Sequence, residues 1–368
     1  MQTEAALLET QGHPFRLTTL TVSEPAPDEV VIKIAGVGVC HTDVAVQHGH
    51  LPFSLPGVLG HEGSGVVVAV GSDVTKVRIG DRVAATFNSC GECPPCASGR
   101  PAYCFDFMGR NLGGARADGS TPLSNDGQPV GAYFFGQSSF GTHAVTRERN
   151  IVPVPADVDL EIVGPLGCGV QTGAGAVMNS LEVTPGSSVL ITGGGPVGLS
   201  AAMAAVVQAA GVIIVVEPIA ARRTLALELG ATHVIDPADG DLAEQVRAIV
   251  PAGVDFALDT TALLPVLNGV VASLGQRGTL GMVGVPADPA ASMSFSLMEM
   301  QVRGLTYRGI VEGDSDPDEF IPRLLRLHRE GRFPFDRLIT KAPFAEINEA
   351  IAAQSRGEAV KVVLVPAS

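Results

Sequence analysis

From Val183 to Val216 the chain carries no charged side chain. An apolar stretch of that length matches a membrane span. Its centre, Gly193-Gly194-Gly195-Pro196-Val197-Gly198, breaks it into three pieces. Ser188–Thr192 predicts a strand, the Ala-rich run Val197–Ala210 a helix, and Val212–Val216 a second strand. Continuous Val/Ile runs belong to parallel strands covered on both faces. The expectation is a buried βαβ unit, not a membrane segment.

The alternation continues. Thr232–Ile235, Val254–Asp259 and Gly278–Val285 predict further strands, with helices around Asp241–Val250 and Leu263–Leu274. Strands alternating with helices specify a doubly wound parallel sheet, here over residues 170–310. Residues 1–165 are Val- and Gly-rich, with short runs such as Val30–Val37 and Gly65–Val70, which predicts a mainly antiparallel β region. After the α/β region, Asp316-Pro317 starts a helix over Phe320–Glu330, with Ile321, Leu324 and Leu325 on one face and His328 beside them. A helix near Phe344–Gln354 and a strand at Val360–Val365 follow.

The 368 residues allow two domains. A net charge of −14 and a pI of about 5.0 leave no electrostatic footprint for nucleic acid or anionic lipid. With no Trp and three Tyr, there is no stacking platform for bases. No basic-then-apolar N-terminal segment is present, so a cytoplasmic location is expected. In a reducing compartment clustered cysteines favour metal over disulfide.

Four of the six cysteines form one run, Cys90-x2-Cys93-x2-Cys96-x7-Cys104, among the turn formers Gly91, Pro94, Pro95, Gly99 and Pro101. Four thiolates held by tight turns make a closed tetrahedral site of the structural zinc kind. The compact iron–sulfur spacing, x2, x2, x3 followed by Pro, is not met: the last gap is seven residues and no Pro follows Cys104. Cys40 and Cys168 stand apart, each in a Gly-rich or turn context, and Gly60-His61-Glu62 offers an imidazole and a carboxylate. Two thiolates and one imidazole leave one tetrahedral position open.

Gly193, Gly195 and Gly198 fit G-x-G-x-x-G after a strand and at the opening of a helix, where backbone N–H groups face a pyrophosphate. Glu217 ends the next strand, 19 residues beyond Gly198, where a carboxylate accepts from the adenosine ribose hydroxyls. A carboxylate there repels a 2′-phosphate and favours NAD, although Arg222 and Arg223 follow closely.

Taken together, these motifs make the chain resemble the zinc-dependent medium-chain alcohol dehydrogenases over essentially its full length. The runs Cys40-His41-Thr42-Asp43, Phe134–Phe140, 164–175 and Arg332–Asp336 most resemble the bacterial aryl-alcohol (benzyl alcohol) dehydrogenases. The resemblance implies a GroES-like, mainly β catalytic domain over 1–169 and 311–368, and a Rossmann dinucleotide domain over 170–310. It implies two zinc ions per chain, one catalytic and one structural, with NAD as cofactor. Cys40, His61 and Cys168 would hold the catalytic zinc, a Cys2His set known from alcohol dehydrogenases. Glu62 would stand behind it as an occasional ligand, and Cys90, Cys93, Cys96 and Cys104 would hold the structural one. Asp43 would fix the His61 tautomer, Thr42 would take the alcohol proton, and Phe87 would line the substrate pocket. His41 and Lys361 would contact the pyrophosphate, and Thr172 would lie near the nicotinamide. Many relatives carry a histidine five residues after the first zinc cysteine; here that residue is Ala45, so the proton path beyond Thr42 departs from theirs.

The resulting expectation is reversible oxidation of a primary aromatic or allylic alcohol to its aldehyde by a homodimer, or alternatively a tetramer. No nucleic acid or membrane partner is expected. Two other readings stand beside it: oxidation of a glutathione–formaldehyde adduct, and a non-catalytic zinc and dinucleotide-binding protein.

Overall fold

The computed structural model describes residues 1–367. The chain divides into two compact units. One comprises Met1–Cys168, Asp316–Pro322 and the chain from Ile339 onward; the other comprises Gly169–Ser315 and Arg323–Leu338. The chain therefore crosses from one unit to the other at 168/169, 315/316, 322/323 and 338/339. Residues 323–338 go with the α/β unit, although the sequence suggested the β unit for them.

The first unit is built on two mostly antiparallel sheets. A five-stranded sheet runs in the order Gly57–Val58, Gln2–Leu8, Arg16–Val22, Leu123–Asn125, Gln128–Val130. A seven-stranded sheet runs Ile151–Pro153, Arg82–Ala85, Gly63–Val70, Glu29–Gly38, Lys361–Val365, Ile339–Pro343, with His143–Arg147 also paired to Glu29–Gly38. The Val-rich strand Glu29–Gly38 is central, and Val30, Val31, Ile32 and Val37 are fully enclosed in the core beside Leu7, Leu59, Val83 and Leu364. Ile339–Pro343 and Lys361–Val365 pair in parallel, and Gly57 and Gly131 form a parallel bridge, while the other strand pairs of the unit are antiparallel.

The second unit is a six-stranded, wholly parallel sheet in the order His233–Ile235, Val212–Val216, Ser188–Thr192, Val254–Asp259, Leu274–Met282, Thr306–Gly309. Numbered along the chain, that is 3-2-1-4-5-6, the doubly wound dinucleotide-binding order. Ligands bind such sheets beyond the C-terminal strand ends at the point where the order reverses, here past Thr192 and Asp259. Leu190, Ile214, Ala257 and Leu280 form the centre of its core. The helix Pro196–Val207 opens with Pro at its first turn, as proline's fixed φ favours, and is apolar all round because it is buried nearly all round.

Several elements differ from the sequence-based reading, among them the strand Thr306–Gly309 and the helix Ala220–Glu228, which had no counterpart in it. The fifth strand spans Leu274–Met282, not Gly278–Val285, because the helix before it ends at Ser273 and the chain enters the sheet at once. Helix His41–Gln47 was not foreseen; it is short, and its two valines favour strand over helix. Helix Leu297–Arg303 shows no helical apolar stripe toward a core, since none of its residues is buried.

Candidate active site

Three chain segments of the first unit bring Cys40, His61, Glu62 and Cys168 together, with one ligand-type atom from each within 4.8 Å of the others. Cys40 caps the helix His41–Gln47. His61 and Glu62 lie in the turn that leads into the strand Gly63–Val70, and Cys168 follows the short turn Gly164–Gly167.

Asp43, wholly buried, organises two of these segments. Its Oδ2 accepts from the Cys40 N–H at 3.0 Å, and its Oδ1 from the Gly60 N–H at 3.0 Å. Oδ1 also lies 3.2 Å from His61 Nδ1. A carboxylate only accepts, so Nδ1 carries the proton, and in the neutral ring that binds a metal Nε2 presents the lone pair. That Nε2 is buried and has no hydrogen-bond partner. An orphaned imidazole nitrogen within a cluster of thiols is what a metal ion of borderline softness requires. Burial disfavours the charged imidazole, yet Asp43 and Cys40 outweigh it and raise His61 well above its ordinary value. Contact with Cys168, then the charges of His61 and Lys361, hold the Cys40 thiol well below its ordinary value despite burial. The cluster therefore favours a cation at its centre. Thr42 Oγ1 lies 3.8 Å from the Cys40 sulfur, and Ala45 is buried on the same helix. His41 is exposed.

Lys361 departs from its expected role. Its ammonium is 1% exposed and is turned inward, 2.8 Å from both Glu62 oxygens and 2.9 Å from the Val39 carbonyl. The physical reason is the Glu62 carboxylate, which is 0% exposed and needs a counter-ion. Burial works against the Lys361 charge, but Glu62 and the nearby thiols push its pKa up to about 12. Gly38 leaves room for this pair: a Cβ there would stand 2.0 Å from Glu62 Oε2.

An aromatic wall flanks the cluster. Phe135 stacks on the His61 ring at 4.5 Å and Phe134 meets it edge-on at 5.2 Å. Phe107 approaches Phe135 at 6.3 Å, and Phe87 approaches Phe107 at 5.9 Å, so Phe87 joins the wall through a neighbour. Phe135 adopts a φ of 49°, a left-handed conformation that costs a bulky residue about 1–3 kcal/mol. The sequence pointed to Phe87; the roles of Phe107, which opens the short helix Phe107–Leu112, and of Phe134 and Phe135, whose run has no helical or strand period, went unseen.

Cys90, Cys93, Cys96 and Cys104 form a second cluster, also within 4.8 Å of one another and without disulfides. Metal–sulfur bonds of about 2.3 Å give a tetrahedron with edges of about 3.8 Å; the Cys90 and Cys96 sulfurs are 3.8 Å apart. The Glu92 and Cys93 N–H groups donate to Cys90 Sγ at 3.4 and 3.3 Å, and these bonds lower the Cys90 thiol to about 6.

In the second unit Gly193 and Gly195 lie in the turn between the strand Ser188–Thr192 and the helix Pro196–Val207, and Gly198 lies in the first turn of that helix. A Cβ on Gly198 would meet the Gly193 carbonyl at 1.8 Å, so only glycine lets helix and strand approach this closely. Glu217 is buried and faces this turn. Its Oε2 accepts from the Gly194 N–H at 2.6 Å and its Oε1 from the Ile219 N–H at 2.9 Å, each oxygen keeping a further lone pair. Arg223 is committed to the Glu217 and Pro218 carbonyls and to Asp236. Arg222 lies one residue earlier on the same helix, half-buried. Thr172 Oγ1 donates to Glu312 at 3.2 Å.

Among the described residues no helix is long and apolar enough to cross a membrane.

Residues 26–156 match the family described as Alcohol dehydrogenase GroES-like domain, and residues 196–328 the family described as Zinc-binding dehydrogenase. The geraniol dehydrogenase of Castellaniella defragrans is 52% identical over 364 residues, 98% of this chain and 97% of that protein. A solved structure of benzyl alcohol dehydrogenase from Acinetobacter calcoaceticus superposes with a TM-score of 0.97 at 42% identity, and each chain is covered in full. An alcohol dehydrogenase zinc-binding domain protein from Burkholderia ambifaria gives 0.98 at 46%, again with both chains fully covered. With two family matches spanning both units and this identity over nearly the whole length, the chain belongs to the zinc-dependent medium-chain alcohol dehydrogenase family.

Proposed function

We propose that this chain interconverts a primary aromatic or allylic alcohol and its aldehyde, passing a hydride to NAD and releasing one proton. The observation that carries the proposal is the His61 imidazole: Nδ1 rests on Asp43 and Nε2 is unpartnered in a buried cluster with two thiols. When bound, a zinc ion on Cys40, His61 and Cys168 supplies a Lewis acid for the alcohol oxygen, and the dinucleotide supplies the hydride acceptor.

The chain's own residues do the rest. Asp43 keeps the proton on Nδ1. Thr42 takes the hydroxyl proton of the alcohol, and solvent receives it, since Ala45 offers no base. Phe87, Phe107, Phe134 and Phe135 give apolar faces for a flat or unsaturated substrate and exclude water. Lys361 holds Glu62 back from the metal position. Cys90, Cys93, Cys96 and Cys104 keep a second zinc that braces its loop.

Gly193, Gly195 and Gly198 receive the pyrophosphate, with His41 as a further contact, and Thr172 lies near the nicotinamide. Glu217 has lone pairs left for the ribose hydroxyls, and Arg223 is already paired; both support NAD over NADP. Arg222 is a further residue beside the ribose end. The substrate class draws support from the aromatic wall and from the relatives named for geraniol and benzyl alcohol. The reading includes a cytoplasmic homodimer. Its support is the edge strand Thr306–Gly309 near a segment whose Phe295, Leu297, Met298 and Val302 are exposed.

NADH formation tests the function, with benzyl alcohol, geraniol and ethanol as separate substrates and with formaldehyde plus glutathione. Turnover of benzyl alcohol and geraniol well above ethanol is expected. Turnover confined to formaldehyde plus glutathione, or none at all, would overturn the proposal.

A further inference from the structure

Gln137 uses every hydrogen-bonding position of its amide inside the core, where it is 1% exposed. Nε2 has two protons: one goes to the His61 carbonyl at 2.9 Å and the other to the Thr86 carbonyl at 3.3 Å. Oε1 has two lone pairs: one takes the Gly63 N–H at 3.0 Å and the other the Ser139 hydroxyl at 2.5 Å. Gln137 thus grips the backbone on both sides of Glu62, directly after His61. Thr86 carries the connection onward, since its hydroxyl donates to the Gly167 carbonyl at 2.8 Å, next to Cys168.

The surrounding arch is laid along the same turn. Ser138 Oγ donates to the Val58 carbonyl at 2.6 Å, Ser139 N–H to Gly60 at 2.8 Å and Phe140 N–H to Leu59 at 2.9 Å. Tyr133, Phe135, Gly136 and Ser138 all have positive φ, and Phe135 stacks on the His61 ring. Left-handed residues concentrated in one arch persist where the surroundings over-determine them. Here those surroundings include the His61 turn.

We propose that Gln137 is a positioning residue that, with Thr86, sets the spacing of His61 and Cys168 in the open metal site. The inference rests on the metal-binding reading of that site. Only an amide meets the requirement. A carboxylate lacks the two donors and a thioether lacks all four partners, while the donors and acceptors left behind are buried. Supports of this kind are worth about 10–100-fold in metal affinity.

The experiment measures zinc release to a chelator, and the visible spectrum of the cobalt-exchanged protein, for the parent, Gln137→Met, Gln137→Glu and Thr86→Val. The parent should hold two metals. In Gln137→Met, and in Gln137→Glu if the Met variant does not fold, release from the open site should quicken about tenfold or more. The cobalt bands should shift, while the four-cysteine site releases at its parent rate. Thr86→Val should act in the same direction, and combined with Gln137→Met should add less than its separate effect, because the two residues form one connection. Two metals in the parent with parent-like release and spectrum in both Gln137 variants would overturn this inference alone. One metal in the parent, held by the four cysteines, would overturn the metal reading of the open site and this inference with it.

Discussion

Lys361 Nζ lies 2.8 Å from each oxygen of Glu62, and neither side chain reaches solvent. Removing one partner of a buried ion pair costs about 3–5 kcal/mol where the other stays charged. Burial pushes the Glu62 carboxyl up to about 7 even beside Lys361, so in Lys361→Met it can take a proton; the loss of stability in urea unfolding should reach that range above pH 7 and shrink below it. Adding Glu62→Gln should restore much of it, because no charge is then left unpaired. A single variant as stable as the parent would show that Glu62 does not depend on this counter-ion.

Glu29 should govern part of the acid response. Burial pushes its carboxyl up, but Arg116, Tyr133 and the Ala26 N–H outweigh burial and hold it below its ordinary value. Arg116 donates to Glu29 at 2.6 and 2.8 Å, and Ala26 N–H donates at 2.8 Å. A carboxyl with a lowered pKa stabilises the fold fully above the unfolded value of about 4.3, and that stability is lost as pH falls through the folded value. Glu29→Gln should therefore be less stable at neutral pH, and its thermal midpoint should fall less steeply than the parent's below about pH 4.3. Parallel curves would remove Glu29 from the account.

How much of this was legible in the sequence depends on the signal each residue carries. The parallel sheet was readable because strands such as Ser188–Thr192 and Val212–Val216 are buried almost throughout, and the apolar run of Val212–Val216 is unbroken. Both sulfur clusters were readable, since thiols and imidazole have few other uses at such spacings. The pairing of Lys361 with Glu62 was not legible, because the two residues lie 299 apart along the chain and the lysine was read only through the family resemblance. Gln137 gave no signal of its own: an uncharged side chain within the run Phe134–Phe140 has no period, and its role is set largely by His61, Gly63 and Thr86, all distant along the chain. Helix Leu297–Arg303 escaped because Leu297, Met298 and Val302 face outward and only Met300 packs against the core.

Glu217→Ala should raise the KM for NAD about tenfold or more, the loss of one or two hydrogen bonds to a charged acceptor. It should narrow the preference over NADP, because the repulsion of a 2′-phosphate goes with the carboxylate. Steady-state kinetics with both cofactors measures this. Equal efficiency with NAD and NADP in the unaltered protein would contradict the assignment.

Thr42→Val should cut kcat by about 10²–10⁴-fold, as for a positioned proton-transfer group, with metal content unchanged. Its hydroxyl stands beside the Cys40 sulfur, and valine keeps the shape of the side chain. A fully active variant would exclude Thr42 from the proton path.

The central claim is that Cys40, His61 and Cys168 hold the zinc at which alcohol is oxidised. Metal content and NADH formation from benzyl alcohol, measured on the same preparations of parent and Cys168→Ala protein, test it most directly. The account predicts two zinc ions and turnover in the parent. It predicts one zinc, a folded protein and no turnover in Cys168→Ala, because the four-cysteine site is untouched. Near-normal turnover in Cys168→Ala, or a parent with a single zinc, would contradict it.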